Sequence, residues 1–323
     1  MLSDNKPLIA VVGALSKQGR SVTRTLLQSQ RYRVRALTRN TQSPAAQELQ
    51  RLGAELSEVN VESAHENTLV AAFNGATGVF LMTPGVVPDA TRTETIELAL
   101  GKRLADAALN AGVEHVVFSS LENVEKITSG KLWVPHFTDK GKIEEYIRTL
   151  PMSSSFIQMA FFYTNLLEYY QPRQEGEDLV FPIYLPEEFR APFVDPLTST
   201  GPAVLEMFDN RETYAGQTLP VIGEMLTPRE MVETFSKVTG KKAVYRSAVR
   251  RDELLHLFPA FAENNGLVDE LTGMTEYAVS YGYFSKYRDL HWSRNVFPAT
   301  RTWETFLIHS KWQGEKLDLS FYP

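Results

Sequence analysis

The stretch VVGALSKQGRSV, residues 11–22, joins an apolar run to the start of a predicted helix. Residues 8–12 (LIAVV) are continuously apolar, as is typical of a parallel strand buried on both faces. Gly13 ends that run, and a helix is predicted from about Gln18 to Gln30. In a dinucleotide fold, glycines at this corner allow a tight turn, and the helix N-terminus attracts a phosphate. The stretch therefore predicts a nucleotide site.

The loop is poor in glycine for such a site. It keeps Gly13 and Gly19, but Ser16 stands where the glycine that lets the backbone approach a pyrophosphate is usual. Ser16 still has a small side chain and a backbone N–H. An ordinary strand-to-helix turn would use the same residues, so the loop alone leaves both interpretations open.

Strands and helices alternate along the first half of the chain. Further strands are predicted at 34–40, 78–85, 115–121 and 154–162, and further helices at 45–53, 95–112 and 140–150. Such alternation implies right-handed crossovers and a parallel sheet with helices on both faces. The predicted fold class is α/β, a doubly wound, Rossmann-like parallel sheet.

The pattern changes near residue 163, where prolines interrupt it and aromatic residues cluster. We therefore predict a Rossmann-like nucleotide-binding domain at 1–162 and, at 163–323, mainly a smaller, irregular α/β lobe for substrate or partner. This prediction includes the possibility that part of the chain after residue 163 crosses back to the sheet. Thr227, Pro228 and Glu230 predict a helix start in it, with Pro at the first position and a capping box.

Composition limits the function classes. The 323 residues are 43% hydrophobic and 22% charged, with no cysteine, six histidines and a formal net charge of −6. Disulfides, thiolate nucleophiles and cysteine-bound zinc are excluded, no metal site is predicted, and redox chemistry would need a cofactor. No strong basic run predicts direct nucleic-acid binding, and no apolar run is long enough to predict a membrane span. We expect a cytoplasmic protein, with a nuclear location as the alternative.

Arg39 gives an independent indication at the end of the second predicted strand. An NAD site usually has an acidic residue there, which accepts from the ribose 2′-hydroxyl. A guanidinium suits a 2′-phosphate, so Arg39 favours NADP(H) as the cofactor. A solvated arginine at a strand end is the other interpretation.

At this point the sequence resembles the NmrA-like family, atypical members of the short-chain dehydrogenase/reductase superfamily, and most strongly its NADPH-sensing members. The family's opening motif is G-A-T-G-x-Q-G, which GALSKQG matches at four positions and leaves at Leu15 and Ser16. The other matching segments are RALTRN (35–40), GKRLADAA (101–108), HVVFSSLENV (115–124), VPHFTDKGKIEEYI (134–147) and NLL (165–167).

The resemblance implies a set of cofactor contacts. The pyrophosphate would lie against Gly13, Ala14, Leu15, Ser16, Gln18 and Gly19. Arg39 would bind the 2′-phosphate, Lys140 the nicotinamide ribose, and the segment Tyr163–Asn165 would lie beside the nicotinamide. Thr83 and Ser119 lie near the carboxyl ends of predicted strands, at the edge where ligands of α/β sheets bind, and are further candidates.

The catalytic motif of the superfamily is altered. Typical members use Y-x-x-x-K on one helix, where the lysine lowers the pKa of the tyrosine. This chain has HFTDK, with His136 in the place of the tyrosine and Lys140 retained. His136 could donate a proton near neutral pH or could be a structural residue at a helix start.

Two hypotheses follow. The favoured one is a redox-responsive regulator, in which NADP(H) occupancy changes association with protein partners. The alternative is an NADPH-dependent reductase of a small carbonyl, imine or enone, apolar or aromatic, that uses Lys140 and His136. Some isoflavone-reductase-like relatives use lysine as the principal catalytic group, which supports this alternative by resemblance. Either a monomer or a homodimer is expected.

Overall fold

The computed structural model describes residues 6–84, 95–284 and 291–317, and its central sheet has seven parallel strands. These strands are β1 (Leu8–Val11), β2 (Arg33–Thr38), β3 (Glu55–Glu58), β4 (Gly78–Leu81), β5 (His115–Ser120), β6 (Ser153–Met159) and β11 (Thr218–Val221). The predicted doubly wound parallel sheet is confirmed.

The order of the strands shows where this sheet can bind a ligand. The order is β11-β6-β5-β4-β1-β2-β3, so the chain moves outward from β1 in one direction and from β4 in the other. Ligands of open α/β sheets bind where the order reverses, beyond the carboxyl ends of the strands. That point lies between β1 and β4, where Val11 is in register with Phe80. The loop at Gly13 and the segment at Thr83 both leave the sheet there.

The described helices surround this sheet and form the second lobe. They are α1 (Lys17–Ser29), α2 (Pro44–Arg51), α3 (Glu66–Phe73), α4 (Ile96–Asn110), α5 (Val124–Thr128), α6 (Pro135–Ile147), α7 (Asn165–Glu168), α8 (Pro196–Asp209), α9 (Arg211–Tyr214), α10 (Pro228–Thr239), α11 (Arg251–Leu257), α12 (Asn265–Tyr281), α13 (Trp292–Val296) and α14 (Trp303–Ser310). A short 3-10 helix spans Pro259–Glu263.

The predicted boundaries agree within a few residues, with two differences of substance. The helix predicted at 140–150 begins earlier, because Pro135 occupies its first turn, where a missing N–H costs no helical hydrogen bond. The strand predicted at 154–162 divides at Ala160, and its last residues form β7 (Phe161–Phe162) in another sheet. Gly85, the last residue of the strand predicted at 78–85, lies outside the described residues.

The C-terminal half of the chain contributes to both lobes. Strand β11 extends the central sheet beside β6, and α8 packs on α1, where the Gly201 N–H donates to Ser21 Oγ at 2.9 Å. Two small sheets build the rest, with strand orders β12-β10-β7 and β13-β9-β8. Their strands are β8 (Arg173–Glu175), β9 (Asp178–Ile183), β10 (Ala191–Val194), β12 (Glu224–Leu226) and β13 (Ala243–Ser247).

Aromatic side chains fill the core of the second lobe. Tyr163, Trp303 and Phe306 are buried and pack ring against ring, with centroids 5.2 to 5.6 Å apart. The predicted capping box of α10 is present: the Glu230 N–H donates to Thr227 Oγ1 at 3.1 Å, and the Thr227 N–H donates to Glu230 Oε2 at 2.8 Å.

Candidate functional site

The loop after β1 needs both of its glycines. Gly13 has φ +66°, which L side chains rarely adopt, and a β-carbon there would lie 3.0 Å from Met82 Sδ. A β-carbon on Gly19 would lie 2.1 Å from the Gly13 carbonyl oxygen. The start of α1 therefore touches the end of β1 backbone to backbone, which is the close helix-to-strand packing that a dinucleotide loop requires.

Ser16 caps the helix rather than imitating a glycine. Its φ of −70° and ψ of 167° are ordinary extended values, and its Oγ accepts from the Gly19 N–H at 3.0 Å. The same hydroxyl donates to Met82 Sδ at 3.1 Å. The backbone turn therefore does not require glycine at residue 16. The cap removes one donor from the loop, because the Gly19 N–H bonds Ser16 Oγ and cannot also bind a ligand.

Several backbone donors remain at the start of α1. The N–H groups of Leu15, Lys17 and Gln18 donate to no acceptor among residues 6–84, 95–284 and 291–317. The Ala14 N–H differs, because it donates to the Leu37 carbonyl at 3.3 Å. Free N–H groups and the partial positive charge of a helix N-terminus together suit an anion.

Gln18 is oriented by a residue from the neighbouring strand end. Ser119 Oγ donates to Gln18 Oε1 at 2.8 Å, which leaves the Gln18 amide nitrogen as a donor. Ser119 ends β5 with Ser120, whose hydroxyl bonds the carbonyls of Leu121 and Lys140 at 3.1 and 3.4 Å. The structure therefore brings the predicted residues Gln18 and Ser119 together.

The two arginines of β2 and its exit differ in availability. Arg35 donates to the carbonyls of Ala72 and Asn74 at 3.0 and 2.8 Å, which is a structural role. Arg39 is exposed, and its side chain makes no hydrogen bond or ion pair within the described parts of the chain. Arg39 is thus the guanidinium that is free to bind a phosphate.

A carboxylate that the sequence reasoning missed borders the same loop. Glu58, at the end of β3, accepts from the N–H and the hydroxyl of Thr41 at 3.2 and 2.7 Å. These two bonds lower the pKa of Glu58 below its usual value. Glu58 fixes the backbone two residues beyond Arg39 and so shapes the place where Arg39 leaves the sheet.

Lys140 lies in a polar network at the switch point. Its ammonium forms an ion pair with Glu97 and donates to Thr83 Oγ1 at 2.9 Å, and Thr83 in turn donates to Glu97. Glu97 and Thr83 are buried, with 2% of each residue exposed. The predicted residues Thr83 and Lys140 therefore meet, held by a carboxylate that was not predicted. Glu97 falls on the apolar stripe of α4, with Leu100, Leu104 and Ala108.

Asp139 extends this network. Burial raises the pKa of Asp139 to about 6, and the charge of Glu97 acts in the same direction. The Thr95 hydroxyl donates to Asp139 at 2.6 Å and opposes the rise, as do Lys142 and Lys140. The carboxyl groups of Asp139 and Glu97 are therefore close enough to influence each other, with Lys140 and Lys142 as the neighbouring positive charges.

His136 is occupied by a contact between the lobes. Its ring Nδ1 pairs with Glu270, and its backbone N–H donates to the same carboxylate oxygen at 2.9 Å. Glu270 is buried on α12, and the α6 cap residue Val134 supplies no side-chain bond of its own. Glu270 thus caps α6 from the second lobe. A catalytic role for His136 stays a prediction.

Tyr163 and Asn165 differ in how deeply they are buried. The Tyr163 ring is fully buried in the core of the second lobe, and burial raises its pKa well above the usual value. A cofactor contact by this ring would require the ring to leave that core. Asn165 begins α7 and is only partly buried, so it is the member of the predicted segment that a ligand can reach.

One further contact joins α1 to α7. Lys17 forms an ion pair with Glu168, and its ammonium lies 5.8 Å from the centre of the Tyr169 ring. The two charged side chains are 18% and 25% exposed. The sequence reasoning gave Glu168 no role.

Comparison with known proteins identifies the family. The model of the NmrA-like family matches residues 5–307. The NmrA-like family domain-containing protein of Dictyostelium discoideum is 32% identical over 246 residues, which cover 74% of this chain and 79% of the relative. The NmrA-like family domain-containing oxidoreductase hkm9 of Aspergillus hancockii is 34% identical over 251 residues, or 74% of each chain. The chain belongs to the NmrA-like family.

A solved structure agrees in fold. The crystal structure of NmrA, a negative transcriptional regulator in complex with NADP, superposes with a TM-score of 0.72 over 94% of each chain, at 22% identity. At this identity the likeness establishes the fold and nothing about ligands of this chain. Within the described residues, no helix is both long and apolar enough to cross a membrane.

Proposed function

We propose that the protein binds NADP(H) at the switch point between β1 and β4. The observation that supports this most directly is the helix start of α1, where the N–H groups of Leu15, Lys17 and Gln18 donate to no acceptor in the described part of the chain. The contact of Gly19 with Gly13 holds the start of α1 close to the end of β1, which is the packing of a dinucleotide loop. The NADP complex of NmrA, a protein of the same fold, supports the choice of ligand class.

Two side chains would add selectivity. Arg39 is exposed and unpaired among the described residues, so its guanidinium can bind a 2′-phosphate. Lys140 presents donors at the same edge, where the ribose next to the nicotinamide would bind. A thermal-unfolding assay tests the proposal: NADPH should raise the midpoint more than NADH at equal concentration. A midpoint unmoved by either would contradict it.

We further propose that the bound cofactor serves reduction of a small, apolar or aromatic carbonyl, imine or enone. When bound, NADPH supplies a hydride to such a substrate. Lys140 holds a proton at Nζ and donates hydrogen bonds, and Glu97 and Thr83 fix that nitrogen in place. The naming of the Aspergillus hancockii relative as an oxidoreductase supports this role.

Isotope transfer tests the reductase. NADPH deuterated at C4 is incubated with a panel of enones, imines and aldehydes, and products are analysed for deuterium by mass spectrometry. We expect Lys140→Met to abolish transfer. Lys142→Met, on the same helix and paired with exposed Glu125, is the matched control and should retain it. Absence of deuterium transfer by the unaltered protein to every compound of the panel would refute the reductase, and equal rates in the two variants would refute the role of Lys140.

A redox-responsive regulator is the second candidate, favoured by the contact of His136 with Glu270. Helix α6 carries Lys140 at the nucleotide edge, and its first turn is capped by Glu270 of the second lobe. A ligand that displaces Lys140 could therefore change how α12 packs, and with it a partner surface. Light scattering with and without NADPH tests this: a change in molecular mass or in partner binding supports it, and identical behaviour opposes it.

A further inference from the structure

Lys17 and Glu168 connect the phosphate loop with the second lobe. Lys17 is the first residue of α1, directly after the cap residue Ser16. Its ammonium reaches Glu168 at the end of α7, a residue 151 positions away in the chain. The first turn of α1 has no acidic residue of its own. Glu168 is therefore a carboxylate that the tertiary fold brings to this helix start.

We infer that Lys17 is a binding residue for the pyrophosphate of the dinucleotide and that Glu168 competes with the cofactor for it. The inference rests on the proposed nucleotide binding. A lysine ammonium is a flexible point charge with three donors, and it binds phosphate readily. With Ser16 occupying the Gly19 N–H, Lys17 adds a positive charge where the loop has lost a donor.

Glu168 supplies the negative charge that a bound pyrophosphate would supply. Negative charge near a helix N-terminus is favourable, and here it also neutralises Lys17. When phosphates bind at the same helix start, the carboxylate repels them and retains part of the lysine's attraction. The two members of one ion pair therefore have opposite effects on cofactor binding.

Opposite effects make the test sharp. NADPH affinity is measured by titration calorimetry for Lys17→Met, Glu168→Gln and the double variant. We expect Lys17→Met to weaken binding about 3- to 10-fold and Glu168→Gln to tighten it by about the same factor. In the double variant, the gain from Glu168→Gln should shrink, because its competitor role requires Lys17.

A second readout separates binding from structure. Without ligand, each single variant loses the same ion pair, so both should lower the unfolding midpoint slightly and in the same direction. The control variants are Lys237→Met and Glu304→Gln, which break a 3.0 Å pair between α10 and α14 with the same changes in charge. They should leave NADPH affinity unchanged within about 2-fold.

Failure of the inference is distinguishable from failure of the proposed function. If the unaltered protein binds NADPH but Glu168→Gln leaves affinity unchanged or weakens it, the competitor role is refuted and nucleotide binding stands. An unchanged affinity in Lys17→Met refutes the phosphate role of the lysine. Absence of NADPH binding in the unaltered protein overturns the proposed function and the inference together.

Discussion

A β-carbon on Gly19 would lie 2.1 Å from the carbonyl oxygen of Gly13, and both the carbonyl and the helix start are backbone. No side chain can move aside to make room. The distance between the end of β1 and the start of α1 is therefore set by the absence of a side chain at residue 19. The free N–H groups beside it depend on that distance.

Gly19→Ala should consequently destabilise the protein and abolish nucleotide binding. We expect a loss of about 3 kcal/mol or more in the free energy of unfolding, because the clash is with backbone. Gly112→Ala is the control: a β-carbon there meets nothing within 4 Å, although φ is +75°. That variant should lose about 1 kcal/mol and keep NADPH binding. Urea denaturation and titration of both variants check this, and equal losses would contradict it.

The role of Ser16 predicts a ranking of two substitutions. Ser16→Ala removes the cap of the Gly19 N–H and should cost about 1 kcal/mol of unfolding free energy. Ser16→Gly should cost only a few tenths of a kcal/mol, since glycine is itself tolerated as a cap residue. Denaturant midpoints measured side by side decide it. A variant with glycine that is as unstable as the one with alanine would refute the capping role.

The pair of Glu97 and Lys140 should behave as a coupled unit. Glu97→Leu leaves the Lys140 ammonium, whose side chain is 15% exposed, without its carboxylate, and we expect a loss of about 3 kcal/mol in unfolding free energy. The double variant Glu97→Leu, Lys140→Met should recover much of that loss, because no uncompensated charge remains. A double-mutant cycle in urea measures the coupling. Additive losses would show that the two side chains act independently.

His115 predicts the pH dependence of stability. The Ser155 hydroxyl donates to the Tyr214 carbonyl at 2.9 Å, so His115 Nε2 must donate to Ser155, 3.0 Å away, and Nδ1 accepts from Ser153. Burial, with a smaller effect of Arg211, lowers the pKa of His115 to about 4. The unfolded chain therefore binds a proton between pH 6.5 and 4 that the folded protein does not.

The sign follows directly: stability that is present above pH 6.5 is lost as the pH falls toward 4. We expect His115 to contribute a loss of about 2 kcal/mol between pH 7 and pH 4.5. His115→Gln should flatten that part of the profile, whereas His309→Gln, an exposed residue of α14, should not. Urea denaturation at several pH values measures the slope. An unchanged slope in His115→Gln would contradict the assignment.

Local patterns sufficed to predict the sheet but not all of its strands. The strands predicted at 8–12, 34–40, 78–85 and 115–121 carry apolar residues bounded by turn residues, so the local pattern reveals them. Strand β3, with the sequence ELSE, has no such pattern and was not predicted. Strand β11 is four residues long and comes after a break in the alternation. Its place beside β6 is decided by packing with α8, about which the local pattern carries no information.

The candidate site shows the same limit. Gly13, Gly19 and Arg39 follow from the order of strand, turn and helix, and Lys140 follows from the resemblance. Glu97 could have been predicted, because it is a carboxylate on the apolar stripe of a predicted helix. Glu168 could not have been predicted, because its partner Lys17 is 151 residues away in the chain and no spacing rule connects the two.

The most direct test of the account is an equilibrium titration of the purified protein with NADPH, NADP+, NADH and NAD+ in one buffer. The unaltered protein should bind the NADP forms more tightly than the NAD forms, and Arg39→Ala should remove that preference. Arg51→Ala, an exposed arginine of α2, is the control that should keep it. Absence of binding to all four nucleotides would contradict the central claim that this glycine-poor loop holds a dinucleotide.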